Sequence, residues 1–128
     1  MCDIMDKQIL GEKGEDMAAA FLKKEGYKII EQNYRTPFGE IDIIAYEGAM
    51  LVFVEVKARK NPTFAVPQLA VNRKKQQHIV KSAMSYVSSK RIKDKGLRFD
   101  VIAISIFDDT KKIELFKNAF EPDNMRFI

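Results

Sequence analysis

Apolar and polar positions alternate through the stretch Glu40–Lys57. Ile41, Ile43 and Ala45 interleave with Glu40, Asp42, Ile44 and Tyr46, and after a break Val52, Val54 and Val56 interleave with Leu51, Phe53, Glu55 and Lys57. A period of two is that of a β-strand, whose successive side chains face opposite ways. Gly48-Ala49 between the runs predicts a two-residue turn of type II′, which matches strand twist. Residues whose numbers sum to 97 are then opposed, so Asp42 faces Glu55 and Glu40 faces Lys57. One face of this hairpin carries Ile41, Ile43, Ala45, Val52, Val54 and Val56. The other is apolar near the turn, with Ile44, Tyr46, Leu51 and Phe53, and charged at its far end, with Glu40, Asp42, Glu55 and Lys57.

The remaining pattern supplies the other elements. Lys7–Glu25 reads as a helix, with Ile9, Leu10, Met17, Phe21 and Leu22 as a buried stripe and Ala18, Ala19 and Ala20 favouring the helical backbone. Gly26 ends it as a C′ residue. Tyr27–Tyr34 reads as a strand and Thr36-Pro37-Phe38-Gly39 as a loop. Asn61-Pro62-Thr63 and Pro67 break the pattern. Asn72 is the N-cap of a second helix that runs to Ser89 with Ile79, Ala83, Tyr86 and Val87 inward. Lys90–Gly96 is a basic loop, Phe99–Phe107 a buried strand, and Lys111–Phe116 an edge strand after the turn at Asp108-Asp109-Thr110. The order α-β-β-β-α-β-β predicts an α/β fold in one domain spanning residues 1–128, with a mixed central sheet of about five strands flanked by helices. The tail, 118–128, carries no strong pattern; Phe120, Met125 and Phe127 are its candidates for core or interface.

Carboxylates within apolar strands change this picture, because buried charge needs compensation. Opposed carboxylates about 5 Å apart repel. A divalent cation relieves that repulsion, and oxygen ligands suit Mg²⁺ or Mn²⁺. The plainer alternative is a solvated strand end with Glu55–Lys57 as an ordinary ion pair. A single cysteine, Cys2, excludes an internal disulfide and a cysteine-based zinc site, and the single histidine, His78, excludes a histidine-rich one and reads as a solvated helix position. Hydrophobic residues make up 46% of the chain and charged residues 31%, with no apolar run of membrane-spanning length. The start of the chain does not read as a secretory signal. A cytoplasmic protein without a membrane partner is expected. The net charge of +4 is a mild bias toward polyanions. Its distribution says more: Lys57, Arg59, Lys60, Arg73, Lys74, Lys75, Lys81, Lys90, Arg91, Lys93, Lys95 and Arg98 lie in the middle third of the chain, where acids are scarce after Glu55. Acids that hold a metal beside bases that hold a phosphate backbone suit phosphodiester chemistry. For any one of these lysines a solvated helix face serves equally well.

Asp42 followed thirteen residues later by Glu55-Val56-Lys57 resembles the signature of the PD-(D/E)XK, restriction-endonuclease-like nucleases, with Ile41 where that signature has proline. Further blocks, in order, are Gly11-Glu12-Lys13-Gly14-Glu15, Gly26-Tyr27, Asn33-Tyr34-Arg35, Gly39-Glu40-Ile41-Asp42, Lys75, Arg98-Phe99-Asp100-Val101 and Asn118-Ala119-Phe120. Together they resemble the YraN-like family of small bacterial proteins, related to archaeal Holliday-junction resolvases. The resemblance covers nearly the whole chain. It implies a restriction-endonuclease-like fold and Mg²⁺- or Mn²⁺-dependent hydrolysis of DNA, including branched or single-stranded regions. Asp42 and Glu55 would be metal ligands with the Val56 carbonyl, Lys57 would orient or activate the attacking water, and Glu15 would add an acid from the first helix. Glu40 would be accessory, with Lys57 its candidate partner. Lys75 could reach the scissile phosphate, assisted by Gln76, with Arg59, Arg73 and Lys74 along the nucleic-acid backbone. Asp100 is expected to pair structurally with Arg98 or Arg35. Resolvases act as dimers on two-fold symmetric junctions, so a homodimer is also implied. The competing reading is a non-catalytic nucleic-acid-binding or protein-interaction module that retains the fold.

Overall fold

The computed structural model describes residues 3–59, 72–107 and 110–122, and within them the side chains of 14–58, 72–106 and 110–122. The elements are α1 (Asp3–Lys24), β1 (Lys28–Thr36), β2 (Gly39–Glu47), β3 (Met50–Arg59), α2 (Arg73–Ser89), β4 (Gly96–Phe107) and β5 (Thr110–Phe116). The strands form one sheet in the order β1-β2-β3-β4-β5. Among the described residues only β3 and β4 pair in parallel, and α2 lies in the connection between them. This is the α-β-β-β-α-β-β order and mixed sheet expected from the sequence. The side chains of Ile9 and Leu10, and the segments with Asn61-Pro62-Thr63, Pro67, Asp108-Asp109, Met125 and Phe127, lie outside the described residues.

Turn chemistry sets several boundaries. Gly26 has φ +96°, its N–H donates to Lys23 O and that of Tyr27 to Leu22 O, the paired bonds of a Schellman C-cap. Asn72 caps α2, its side-chain oxygen accepting from the Lys75 N–H at 2.9 Å. Gly48 takes φ +59°, and the pairs from Ile43↔Val54 to Glu47↔Met50 all obey the expected register. Between β1 and β2 the loop is tighter than the sequence suggests. Thr36 and Gly39 are themselves paired, leaving Pro37-Phe38 as the turn.

The helices cover opposite faces of the sheet. Ala18, Ala19 and Leu22 of α1 pack on Ile43, Ala45, Val52, Val54, Ile102 and Ile104. On the other face Ile79, Ala83 and Tyr86 of α2 pack on Ile44, Leu51, Phe53, Phe99 and Val101. Full burial of each large aliphatic or aromatic side chain contributes roughly 1.5–3 kcal/mol. Phe120 joins this second core, its ring stacked on Phe99 at 5.2 Å. The tail is thereby tied to the sheet as far as it is described.

One facial assignment is corrected. Ile41 sits in the α2 core with Ile44, not on the α1 face with Ile43. The pairs Tyr34↔Ile41 and Gln32↔Ile43 flank a missing Asn33–Asp42 pair, and Asn33 has φ +52°. The interruption reverses the alternation of both strands. Asn is among the few side chains that tolerate this left-handed backbone.

Candidate active site

The site lies at the end of the sheet where β2 begins and β3 finishes. The ladder between these strands stops at Ile43↔Val54, so Asp42 and Glu55 are not opposed as a regular pair. Instead Asp42 Oδ2 accepts the Val56 N–H at 2.8 Å, a side chain standing in for the missing backbone acceptor. This fixes the Asp42 carboxylate in the gap between the strands and ties it to Val56 itself.

Glu15 reaches the same place from α1, one residue after a close helix–sheet approach. A Cβ on Gly14 would lie 2.8 Å from Ala58 Cβ on β3. Glycine inside a helix costs about 1 kcal/mol relative to alanine, but here it lets the backbone come near the strand. Glu15, Glu40 and Asp42 each place a carboxylate oxygen within 4.8 Å of the other two. Burial raises the Glu15 pKa, and the charges of Asp42 and Glu40 raise it further. A side-chain hydrogen bond from Asn33 acts the other way.

Glu55 lies beside this triangle rather than within it. It is one of three buried polar residues among those described, the others being Ser82 and Asp100. Burial, then the charge of Asp42 and a hydrogen bond shared with it, push the Glu55 carboxyl up to about 8. Two cations oppose that shift: Lys75 Nζ lies 3.6 Å and Lys57 Nζ 3.8 Å from Glu55 Oε2. Three carboxylates converge on one spot with a fourth beside them, and two of the four, Glu15 and Glu55, are held above their ordinary pKa by burial and then by their neighbours. Such a set suits a hard divalent cation, whose charge replaces shared protons and whose preferred ligands are oxygens.

The expected residues are distributed as follows. Glu15, Glu40, Asp42, Glu55, Lys57 and Lys75 come together. Glu40 pairs with Arg35, Oε2 to Nε at 3.2 Å, and not with Lys57; the two are register partners across β1 and β2. Lys57 turns to Glu55 instead, two residues away on the same face. Arg73, Lys74 and Gln76 lie on the first turns of α2 with Lys75, and that first turn carries no acid. The side chain of Arg59 lies outside the described residues. Asp100 pairs with Arg98 as expected, taking Arg98 Nε at 2.8 Å. Two contributors were not assigned to the site from sequence, Asn33 and Arg35. Three successive polar residues, Glu31-Gln32-Asn33, within a strand pattern are the signal that could have located the interruption.

Fold and site together define a small α/β protein with an acidic cluster at one end of a mixed sheet and lysines closing over it. The chain belongs to the family described as "Uncharacterised protein family UPF0102", which matches residues 14–104, and the YraN-like resemblance is borne out. It is 51% identical over 111 residues to a UPF0102 protein of Syntrophus aciditrophicus, covering 87% of each chain. A UPF0102 protein of Geobacter sulfurreducens is 50% identical over 115 residues, covering 89% of this chain and 90% of its own. One from Thermodesulfovibrio yellowstonii is 50% identical over 111 residues, covering 87% and 95%. Among the described residues, no helix is long and apolar enough to cross a membrane.

Proposed function

We propose that this protein is a metal-dependent nuclease of the PD-(D/E)XK type that hydrolyses phosphodiester bonds in DNA. The observation that carries the reading is the convergence of Glu15, Glu40 and Asp42 oxygens within 4.8 Å, with Glu55, Lys57 and Lys75 against them. Asp42 and the Glu15 and Glu40 carboxylates would hold Mg²⁺ or Mn²⁺, with Glu55 joining once it gives up its proton. The Val56 carbonyl is a further ligand by resemblance. Such a cation lowers the pKa of water and polarises a phosphoryl oxygen.

The protein's own groups do the rest. Lys57, held beside Glu55, orients the attacking water and sets an ammonium against the charge that builds on the phosphoryl oxygens, an effect commonly worth a few kcal/mol. Lys75, 44% exposed at its side chain, reaches the same carboxylate from the other strand–helix boundary and meets the phosphate from the α2 side. Arg73 and Lys74 offer positive charge to the neighbouring backbone. Asn33 and the Val56 N–H hold Glu15 and Asp42 in place, so the acidic groups meet an incoming cation already oriented.

A panel of labelled single strands, duplexes, flaps and four-way junctions, incubated with Mg²⁺ or Mn²⁺, tests this reading. Cleavage of at least one substrate by the parent is expected, with loss of at least a hundredfold in Asp42→Ala and Glu55→Ala. Equal cleavage by those variants would remove the site assignment. Cation binding lost in Asp42→Asn without any cleavage by the parent would favour the non-catalytic module.

A further inference from the structure

The turn between β1 and β2 carries an aromatic ring in an unusual position. Phe38 is 48% exposed and is, with Ile30, one of two exposed large hydrophobic residues among those described. A single exposed apolar residue needs no explanation. Three further observations set Phe38 apart.

Its backbone is rigidly held. Thr36 Oγ1 donates to Gly39 O at 3.0 Å, accepts the Phe38 N–H at 3.1 Å and lies 2.8 Å from the hydroxyl of Ser82, which is fully buried on α2. Gly39 adopts φ +145°, and its missing Cβ would sit 3.7 Å from Ser82 Oγ and 3.8 Å from His78 Cβ, so the turn rests on the helix. The turn that carries the ring also leads directly into the acidic cluster. Phe38 precedes Glu40 by two residues, so their Cα atoms are at most about 7 Å apart. Finally, the flanks are cationic. Arg35 is 87% exposed at its side chain on one side, and Lys74 lies one helical turn before His78 on the other.

We propose that Phe38 is a stacking platform for an unpaired base of the DNA strand whose phosphate enters the acidic cluster. This rests on the phosphodiester reading above and assigns to Phe38 the contact with a base that is free to leave its stack. A fixed aromatic ring with adjacent cations is how proteins hold single strands, because every base presents a π face and the cations follow the backbone. Paired bases in an intact duplex offer that ring nothing to stack on. Preorganisation by Thr36 and Ser82 means that little ordering cost falls on binding.

Binding measured without divalent cation, to a short labelled single strand, a forked duplex and a blunt duplex, tests it. Phe38→Ala is expected to weaken binding of the strand and the fork by about 5- to 150-fold and of the blunt duplex by less. The chain contains no tryptophan, so Phe38→Trp places a unique fluorophore at the turn. Its indole emission should be quenched by the strand and the fork, at affinities close to those of the parent. Unchanged emission on saturation, or equal binding of the strand and fork by parent and Phe38→Ala, overturns the proposal. Self-association of the parent that Phe38→Ala abolishes, with DNA affinity unchanged, overturns it in favour of a contact between copies. Cleavage by the parent alongside any of these results leaves the nuclease reading standing and removes only the stacking role. Quenching without cleavage does the reverse.

Discussion

Glu55 concentrates the tension of the site in one carboxyl group. Its pKa is pushed up by burial and by Asp42, and the sign of the consequence follows from linkage. An acid whose folded-state pKa lies above its unfolded value favours folding most at low pH. That contribution is lost as pH rises from the unfolded value of 4.5 through about 8. In cation-free buffer the parent should therefore lose stability across this window, on the order of 1 kcal/mol or more by pH 9. Glu55→Gln, which cannot ionise, should not. Thermal melts in a chelating buffer at pH 5 and pH 9 check this: the variant should match the parent at the lower pH and melt several degrees higher at the upper, at about 4 °C for each kcal/mol. Adding Mn²⁺ at pH 8 should narrow the gap, stabilising the parent, with its fourth carboxylate, more than Glu55→Gln. A parent whose melting temperature is flat from pH 5 to pH 9 would show that the carboxylates do not repel as described.

At the level of elements, the site depends on how closely α1 lies against β3. The contact between Gly14 and Ala58 has no room for a methyl group, since a Cβ on Gly14 would come within 2.8 Å of Ala58 Cβ. Gly14→Ala favours the helix by about 1 kcal/mol yet must push α1 outward, carrying Glu15 with it. Mn²⁺ titration should show affinity reduced about tenfold, and Gly14→Ala/Ala58→Gly, which restores the space, should recover most of it. Failure of the second change to restore binding would mean that Glu15 is not placed by this contact. The same geometry explains what could be read from the residues alone. Gly48-Ala49 set the hairpin register because a two-residue turn leaves one way to pair the flanking strands, and that register placed Asp42, Glu55 and Lys57 at one end. The flip at Asn33 and Asp42 escaped detection because a polar residue in a left-handed bulge has the same local pattern as one in a strand. The Arg35–Glu40 pair followed from a β1 register that the chain pattern left open, with a loop drawn where Pro37-Phe38 makes a tight turn. Glu15 entered by family resemblance alone, because hairpin periodicity contains nothing about a helix crossing the opposite face.

Across the whole molecule, the principal buried ion pair and the acidic cluster are neighbours separated by the faces of the sheet: Asp100 is the register partner of Val54, which packs on the α1 face, and the next residue, Glu55, faces the other way. Asp100 is fully buried, with Arg98 Nε on Oδ1 at 2.8 Å, the Tyr27 hydroxyl on Oδ2 at 3.0 Å and the Asn118 N–H on Oδ1 at 2.9 Å. Arg98 also donates to Glu47 at 2.7 Å, and Lys117 closes the group on Glu47 at 2.6 Å. Hydrogen bonds from Lys117 and Arg98 hold the Glu47 pKa below its ordinary range despite burial, while burial and the Asp100 charge raise that of Tyr27. The C-terminal cap of α1, the turn end of the β2–β3 hairpin, β4 and the tail are thus tied through two carboxylates, Asp100 and Glu47. Removing one partner leaves a buried charge uncompensated, so Arg98→Met should destabilise by about 3–5 kcal/mol, whereas replacing both, as in Arg98→Met/Asp100→Leu, should recover a large part of that loss. Urea midpoints at unchanged m-value measure both effects. Arg98 is the register partner of Val52, three residues or about 10 Å from Glu55 along β3, and Asp100, the partner of Val54, faces away from Glu55 by strand alternation. Mn²⁺ affinity under folding conditions should therefore be the same in Arg98→Met as in the parent. A parallel loss of affinity and stability would mean that the ion pair positions the acidic cluster through β3 and β4, and that the sheet does not separate the group that holds the fold from the groups that would do the chemistry.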